Sequence, residues 1–255
     1  ASVTGSPATA TRIYTYAMRV VPRIGLLERN VGCVIYQEKD VKEIVTEVLE
    51  RHQISEFEWR LTGSYLPRVY CVQYRESDLD FVHRLLEHEG IYYFVETDAD
   101  GDKVIFADDS TAADTLEGDP VLPVRGNLGM AGDGDYALIP TDCARVRSGK
   151  HVLRDYNHEK PALDLTAEAE SDVETDREVY DFPGEYDDAG EGKRLAQMRL
   201  EAEQVERFTL SFGTVCPRVQ PGRCVEITDA SELDGKYFLY PAEHRFGDIE
   251  GDVDY

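Results

Sequence analysis

Residues 71–94, CVQYRESDLDFVHRLLEHEGIYYF, decide the local fold, because several structural signals follow one another in this stretch. Apolar and polar residues alternate at its start, which is the period of a half-buried strand. Ser77 and Asp80 then form a capping-box pattern, in which the serine hydroxyl accepts a hydrogen bond from the first turn of a helix. Gly90 suits the left-handed position that ends a helix. The stretch therefore predicts a strand, a helix and a second, aromatic strand.

The apolar periodicity predicts three helices, each with one face to bury. The first begins after Asp40, and its apolar face comprises Val41, Ile44, Val45, Val48 and Leu49. The second is the helix after Ser77, with the face Leu79, Phe81, Val82, Leu85 and Leu86. The third covers residues 188–207, with the face Leu195, Met198, Ala202 and Val205. Such faces require a sheet or another helix to pack against.

Short β-forming runs make up most of the remaining chain and predict an α+β fold with mainly antiparallel β structure, arranged as small β-barrels or a sandwich. The predicted strands are residues 13–21, 32–36, 57–61, 71–75, 91–95, 104–107, 137–146, 150–156, 162–169, 174–180, 208–215, 223–228 and 237–244. Residues 110–134 are rich in Gly, Pro, Asp and Ala and predict a long connection.

Composition restricts the classes of partner. The chain has 51 acidic and 27 basic side chains, a net charge of −24, which disfavours binding to nucleic acid or to an anionic membrane surface. No apolar run approaches the roughly 20 residues of a membrane helix. No Sec-type signal, a basic region followed by an apolar one, is present at the start of this sequence.

The cysteines favour reduced thiols. They number five, Cys33, Cys71, Cys143, Cys216 and Cys224, without a CxxC pattern. Cys216 and Cys224 flank a turn and are placed to face each other across a hairpin, but buried free cysteine is the favoured interpretation.

No cluster of residues predicts a reaction centre. His83 and His88 are five positions apart on one helix, which is not the i, i+4 spacing of a zinc-binding helix. The acidic run at residues 98–102 departs from a calcium loop and is better explained as a hairpin turn. Cys71 and His83 resemble a nucleophile and base only in residue type, since a strand cysteine more often packs in a core. We therefore predict no catalytic residue, no metal and no cofactor, and no enzymatic activity.

Several segments carry a family resemblance. They are VGCVIYQEKDVKEIVTEVL (31–49), RLTGSYLPRVYCVQYRESD (60–78), VLRDYNHEKPALDL (152–165), YDFPGEYDDAGEGKRLAQMRLEA (180–202), PGRCVEITDA (221–230) and GKYFLYPAEHRF (235–246). In this order they resemble the VgrG spike proteins of type VI secretion systems, over most of residues 13–246.

The resemblance implies a domain order and a chain truncated at both ends relative to the family. Residues 1–22 would be the remnant of a first tube barrel, and 23–109 an α+β insertion domain. Residues 110–136 would connect it to a second tube β-barrel with one packed helix, 137–255. Most of the first barrel, and the oligosaccharide-binding-type domain and β-helical needle that follow the hub in the family, would lie outside this sequence.

The resemblance also implies a structural function. The chain would be the hub part of a homotrimeric puncturing spike, and its barrels would dock on a hexameric inner-tube protein. Baseplate, spike-tip and effector proteins would be further partners. The protein would be made in the bacterial cytoplasm and exported by the type VI route.

Two alternatives remain at this point. The first is the hub of a contractile phage tail or of an extracellular injection particle. The second is an acidic hydrolase, which requires two carboxylates sharing a cleft. For the hub, we expect the ring contacts to use the edges of the second barrel, because exposed sheet edges need covering. The predicted contact residues are Arg223, Val225, Ile227, Tyr237 and Leu239.

Overall fold

A computed structural model describes residues 3–5, 14–16, 19–97, 101–126 and 134–245 of the chain. Parts of the predicted strand 13–21 and residues 98–100 of the predicted acidic turn lie outside these ranges. The chain divides into two compact units. Unit 1 comprises Ala1–Phe57, Leu66–Arg84 and Val95–Val104, and unit 2 comprises Glu58–Tyr65, Leu85–Phe94 and Ile105–Tyr255.

The described elements are strands, α-helices and short 3-10 helices. The α-helices are α1 (Val41–Arg51), α2 (Asp78–Glu89) and α3 (Ala189–Gln204). The 3-10 helices are Arg23–Arg29, Ser110–Ala112, Val205–Arg207 and Ser231–Leu233. The strands are β1 (Val3–Gly5), β2 (Tyr14–Tyr16), β3 (Val31–Tyr36), β4 (Phe57–Arg60), β5 (Cys71–Ser77), β6 (Tyr92–Thr97), β7 (Asp102–Ala107), β8 (Val121–Arg125), β9 (Ala137–Ala144), β10 (Lys150–Asp155), β11 (Leu165–Glu170), β12 (Glu178–Asp181), β13 (Phe208–Thr214), β14 (Cys224–Thr228) and β15 (Gly235–Phe238).

The predicted helix starts in unit 1 are confirmed. Asp40 Oδ1 accepts a hydrogen bond from Glu43 N at 2.8 Å, and Glu43 Oε2 accepts one from Asp40 N at 3.0 Å, which completes a capping box at α1. At α2 the Ser77 hydroxyl accepts from Asp80 N at 3.0 Å. That hydroxyl also donates to Asp80 Oδ2 at 2.7 Å, so Asp80 contacts the cap through its side chain.

The buried faces of α1 and α2 also match the apolar periodicity. All five residues of the predicted α1 face are fully buried, as are Phe81, Val82 and Leu85 of α2, and the Tyr36 and Phe81 rings stack at 5.6 Å. The first residue of α2, Asp78, accepts hydrogen bonds from Gln73 Nε2 at 2.7 Å and Arg51 Nη2 at 3.3 Å.

In unit 2, α3 packs on one face of a three-stranded sheet with the order β11-β10-β12. The predicted α3 face is confirmed only in part. Leu195 is buried and Met198 packs against the same cluster, but Ala202 is exposed and Val205 is 60% exposed. The helix also buries Ala196 and Leu200. The α-helix ends at Gln204, and a 3-10 turn covers the next three residues. Val205 is nine positions after Ala196, which puts the two on opposite sides of a regular helix.

A second sheet of unit 2 has five strands in the order β13-β9-β8-β14-β15 and curls into a half-barrel. Its central strand β8 lies in the segment predicted as a connection. It pairs in parallel with both β14 and β9, so the sheet is mixed. The core of this sheet comprises Leu116, Leu122, Ala137, Cys216, Val219, Val225, Ile227 and Leu239. The fold class is α+β, as the sequence predicts.

Candidate assembly interface

The structure places the predicted contact residues in and beside β14 and β15. Val225 and Ile227 on β14 are fully buried in the core of the half-barrel, and Leu239 just after β15 is 8% exposed. Tyr237 on β15 is half-buried, and its hydroxyl donates to Leu233 O at 2.8 Å. Three of the five side chains therefore stabilise the sheet from inside.

The prediction that β14 is a sheet edge is wrong. β14 pairs antiparallel with β15, with Val225 opposite Tyr237, and parallel with β8 on its other side. The strand cannot accept a further strand, because both rows of its backbone groups are used. Within the described residues the outer strands of this sheet are β13 and β15. The ring contact itself stays a prediction.

Arg223 is held at the start of β14 by an ionic bridge. Its Nη1 lies 3.1 Å from Asp114 Oδ2, and Arg60 Nη1 lies 3.0 Å from the same oxygen. Backbone hydrogen bonds hold the start of β14 in the same place. Cys224 N donates to Asp114 O at 2.8 Å, and Leu239 N donates to Arg223 O at 2.8 Å. The Arg223 side chain is 11% exposed, so its first role is to join the strand to the segment that precedes β8.

A groove runs along the open side of the half-barrel. It has a volume of about 690 Å³ and is bounded by β13 and by the chain that follows β15. Leu210 and Phe212 of β13 line one side, and residues 238–245 line the other. Phe208 at the start of β13 is 48% exposed and Tyr240 is 56% exposed. Exposed apolar side chains beside free strand edges are typical of a surface that another chain covers.

The residues weighed as chemical centres do not converge in the described ranges. His83 is exposed, Cys71 is buried, and His88 Nδ1 lies 3.8 Å from Glu185 Oε2. No group of three or more His, Cys, Asp or Glu side chains in the described part of the chain is arranged to hold a metal ion.

Cys216 and Cys224 are buried free thiols rather than a disulfide pair, and Cys216 lies in the apolar cluster of the half-barrel. Burial is the main cause that raises the pKa of the Cys216 thiol, so it is a poor nucleophile.

None of the helices in the described residues combines the length and apolar character that crossing a bilayer requires.

The curled mixed sheet and the α+β portion define a fold of the phage tail-protein class. The chain belongs to the phage tail baseplate hub (GPD) family, whose model matches residues 1–249. It is 34% identical over 241 residues to the type VI secretion system spike protein VgrG4b of Pseudomonas aeruginosa PAO1, which covers 91% of this chain and 28% of that protein. VgrG1c of the same strain is 29% identical over 244 residues, and the match covers 93% of this chain and 34% of that protein.

Solved structures show the same fold. The Escherichia coli c3393 protein, a component of the type VI secretion system, matches with a TM-score of 0.57 at 23% identity and covers 82% of this chain and 44% of its own. A tail protein of Neisseria meningitidis MC58 matches with a TM-score of 0.62 at 14% identity. The match covers 93% of this chain and 72% of the tail protein. This chain spans about a third or less of the length of VgrG4b and VgrG1c.

Two features of this candidate interface are not predicted by the sequence. The groove depends on the curl of the sheet, which is a property of strand order and leaves no local pattern. The Asp114 bridge joins residues that are 54 and 109 positions apart, and with 51 acidic side chains the sequence offers no way to select this one.

Proposed function

We propose that this chain is the hub part of the trimeric spike at the tip of a type VI secretion machine. Its role is architectural: it seats the spike on the hexameric inner tube, and contraction of the machine drives the assembly outward with its effectors. The observation that carries the proposal is the 34% identity to a VgrG spike protein over 241 residues. The hub performs no chemistry in this role, so it requires neither a cofactor nor a catalytic residue.

The alternative machines share the fold, and sequence similarity separates them. The tail proteins match in structure at 12–14% identity, whereas the VgrG proteins match in sequence at 28–34%. A phage tail hub or an extracellular injection particle is therefore the less favoured assignment. The domain division at residues 22, 109 and 136 also stays part of this proposal.

For the ring contact, we propose the two outer strands β13 and β15 and the groove on the open side of the half-barrel. Of the predicted contact residues, Tyr237 lies on an outer strand. Arg223 holds the start of the neighbouring strand β14 through its ion pair with Asp114. Val225, Ile227 and Leu239 contribute indirectly, because their burial shapes the sheet.

The experiment that tests the proposed function is deletion, in the bacterium that encodes the protein, of the coding sequence for residues 31–245. Loss of the inner-tube protein from the culture medium, restored by the intact gene, is the expected result. Unchanged export of the tube protein, together with loss of phage tails or injection particles, would assign the hub to the other machine.

A further inference from the structure

The sheet β11-β10-β12 has one face that packs on α3 and one that faces solvent. Leu153 and Ala167 are directly opposite each other and belong to the apolar cluster of α3. Because side chains alternate between the two faces of a strand, Val152 and Glu168 lie on the solvent-facing side. The register there gives two complete rows across the sheet, Glu170, Lys150 and Glu178 in the first and Glu168, Val152 and Tyr180 in the second.

The first row is dominated by carboxylates. Lys150 Nζ lies 2.9 Å from Glu168 Oε2, 3.2 Å from Glu170 Oε1 and 3.6 Å from Glu178 Oε2. Hydrogen bonds to Glu168 and then to Glu170 raise the pKa of Lys150, so the ammonium stays charged at neutral pH. One ammonium cannot neutralise three carboxylates, and each of the three is about half exposed.

The second row ends in exposed aromatic rings. Tyr180 is 56% exposed and Phe182, two positions further along, is 55% exposed, and neither stacks on another ring of the described residues. The two rings border a groove of about 840 Å³, whose other wall is the loop at residues 161–166. Leu163 of this loop is 40% exposed. Apolar and aromatic surface therefore continues directly from the acidic row.

The one cation in the groove has a counterion there. Arg154 lines the groove together with Asp164 and Asp155. The Thr166 hydroxyl, which donates to Asp164 Oδ1 at 2.8 Å, is the largest cause that lowers the pKa of Asp164, and the charge of Arg154 also lowers it. Arg154 is thus balanced by a carboxylate that stays ionised.

Carboxylates remain in excess over the whole surface. The carboxylates of the solvent-facing side and its groove are Glu168, Glu170, Glu178, Asp155 and Asp164, and the cations are Lys150 and Arg154. The net charge of −24 adds a negative field around the chain. A cation that approaches the Tyr180 ring therefore meets both a negative potential and the electron-rich face of an aromatic side chain. An acidic segment, or a second copy of this acidic chain, meets repulsion.

We propose that this surface is a docking site for an extended segment of a partner protein in which arginine alternates with apolar side chains. Glu178 and Tyr180 point to the same side of β12 about 7 Å apart, so one guanidinium reaches both. Arginine suits the pair because its planar group binds a carboxylate and stacks on a ring. The apolar side chains pack on Phe182 and Leu163. The site lies outside the half-barrel sheet and does not rest on the proposed function.

The test is fluorescence anisotropy of the chain with a labelled short peptide in which arginine alternates with leucine. A matched peptide carries citrulline, which has the same shape without the charge. We expect tighter binding of the arginine peptide. Glu178→Gln should weaken that binding about threefold and leave the citrulline peptide unchanged. Tyr180→Ser should weaken the arginine peptide by a similar factor, whereas Tyr180→Phe, which keeps the ring, should bind it as the parent does.

Matched controls separate this surface from general attraction to an acidic protein. Glu232→Gln removes an exposed carboxylate elsewhere in the same unit, and Tyr240→Ser removes a ring that is also 56% exposed. Both should bind the arginine peptide as the parent does, and circular dichroism checks that each variant folds.

Three results would overturn the proposal: equal affinity of the two peptides, equal losses in the target and control variants, or no saturable binding up to about 1 mM. So would a dimer of the unliganded chain that Tyr180→Ser dissociates in sedimentation velocity, because the occupant would then be a second copy.

Discussion

Arg194 Nη2 on α3 lies 2.5 Å from Oε2 of Glu89, a carboxylate at the end of α2 whose side chain is only 6% exposed. Arg194 Nη1 also donates to Glu89 O at 3.3 Å. Hydrogen bonds to Glu191 are the largest cause that raises the pKa of Arg194 above its usual value, and Glu89 adds to it. The guanidinium lies 5.5 Å from the centre of the Tyr65 ring. A buried carboxylate with such a partner is stable only while that partner is present.

Arg194→Met should therefore lower the free energy of unfolding by about 3 kcal/mol, since it leaves the Glu89 carboxylate buried without its ion pair. Equilibrium urea unfolding, followed by tryptophan fluorescence, measures the decrease. The double variant Arg194→Met with Glu89→Gln should lose less than the sum of the two single variants. Strict additivity would show that the ion pair contributes nothing.

Gly90, which ends α2, is predicted to tolerate no side chain. Its φ is +73°, and an added Cβ would lie 2.3 Å from Met198 Cγ on α3. Gly90→Ala should destabilise by roughly 2 to 4 kcal/mol, because backbone strain and overpacking add. Adding Met198→Ala should recover the part of the lost stability that comes from overpacking, again measured by urea unfolding. Gly134→Ala is the control, with φ +110° and nothing within 4 Å of the added Cβ. An equal destabilisation in both glycine variants would exclude the contact with Met198 as a cause.

The two helices with complete local signals could be predicted closely from the sequence. Asp40 and Ser77 cap α1 and α2 with side chains a few residues away, and the apolar spacing selects the buried faces. In α3 the glycine and alanine content weakens the same signal. The apolar spacing therefore favours the side through Met198, whereas the residues packed against β10 and β11 also include Ala196 and Leu200.

Long-range strand pairing explains the larger differences between the predicted and the observed strands. β8 has only five residues and contains Pro123, so its own sequence indicates a loop. It becomes a central strand because β14, about 100 positions later, pairs with it in parallel. The same pairing turns β14 from a predicted edge into an interior strand, and so changes which residues of the half-barrel another chain can reach.

His151 should make stability depend on pH. It is 7% exposed, and its Nδ1 is buried without a hydrogen-bond partner in the described residues. Burial lowers the pKa of His151 and the nearby Arg199 lowers it further, while Asp181 and Glu203 oppose the shift. The unfolded chain then binds the proton more readily than the folded one. The stability contribution is therefore present at neutral pH and is lost as the pH falls through the unfolded-state value of about 6.5 and towards the folded value.

His151→Gln should remove this part of the pH dependence. Urea unfolding at about pH 7.5 and about pH 5.5 is the measurement, and the parent should lose more stability on acidification than the variant. His158→Gln is the control, because His158 is exposed in the same unit. A parent and a His151 variant that are destabilised equally by acid would contradict the prediction.

Under the proposed hub function, the outer strands of the half-barrel should control association of the protein into a trimer. Lys236 is an exposed cation on β15, and Phe208 is a 48% exposed ring on β13. Lys236→Glu and Phe208→Ser should each lower the trimer fraction, because association weakens about tenfold for each 1.4 kcal/mol of binding free energy that a substitution removes. Sedimentation velocity of the protein measures the fraction.

Two controls separate assembly from folding. Lys193→Glu reverses an exposed charge on α3, away from the outer strands, and should leave the trimer fraction unchanged. Val225→Ala removes fully buried methyl groups from β14, so it should lower the free energy of unfolding by about 2 kcal/mol and lower the trimer fraction only through this loss of stability. If Lys236→Glu and Phe208→Ser assemble as the parent does, the ring contact lies on another surface and the half-barrel edges are covered by the protein's own chain.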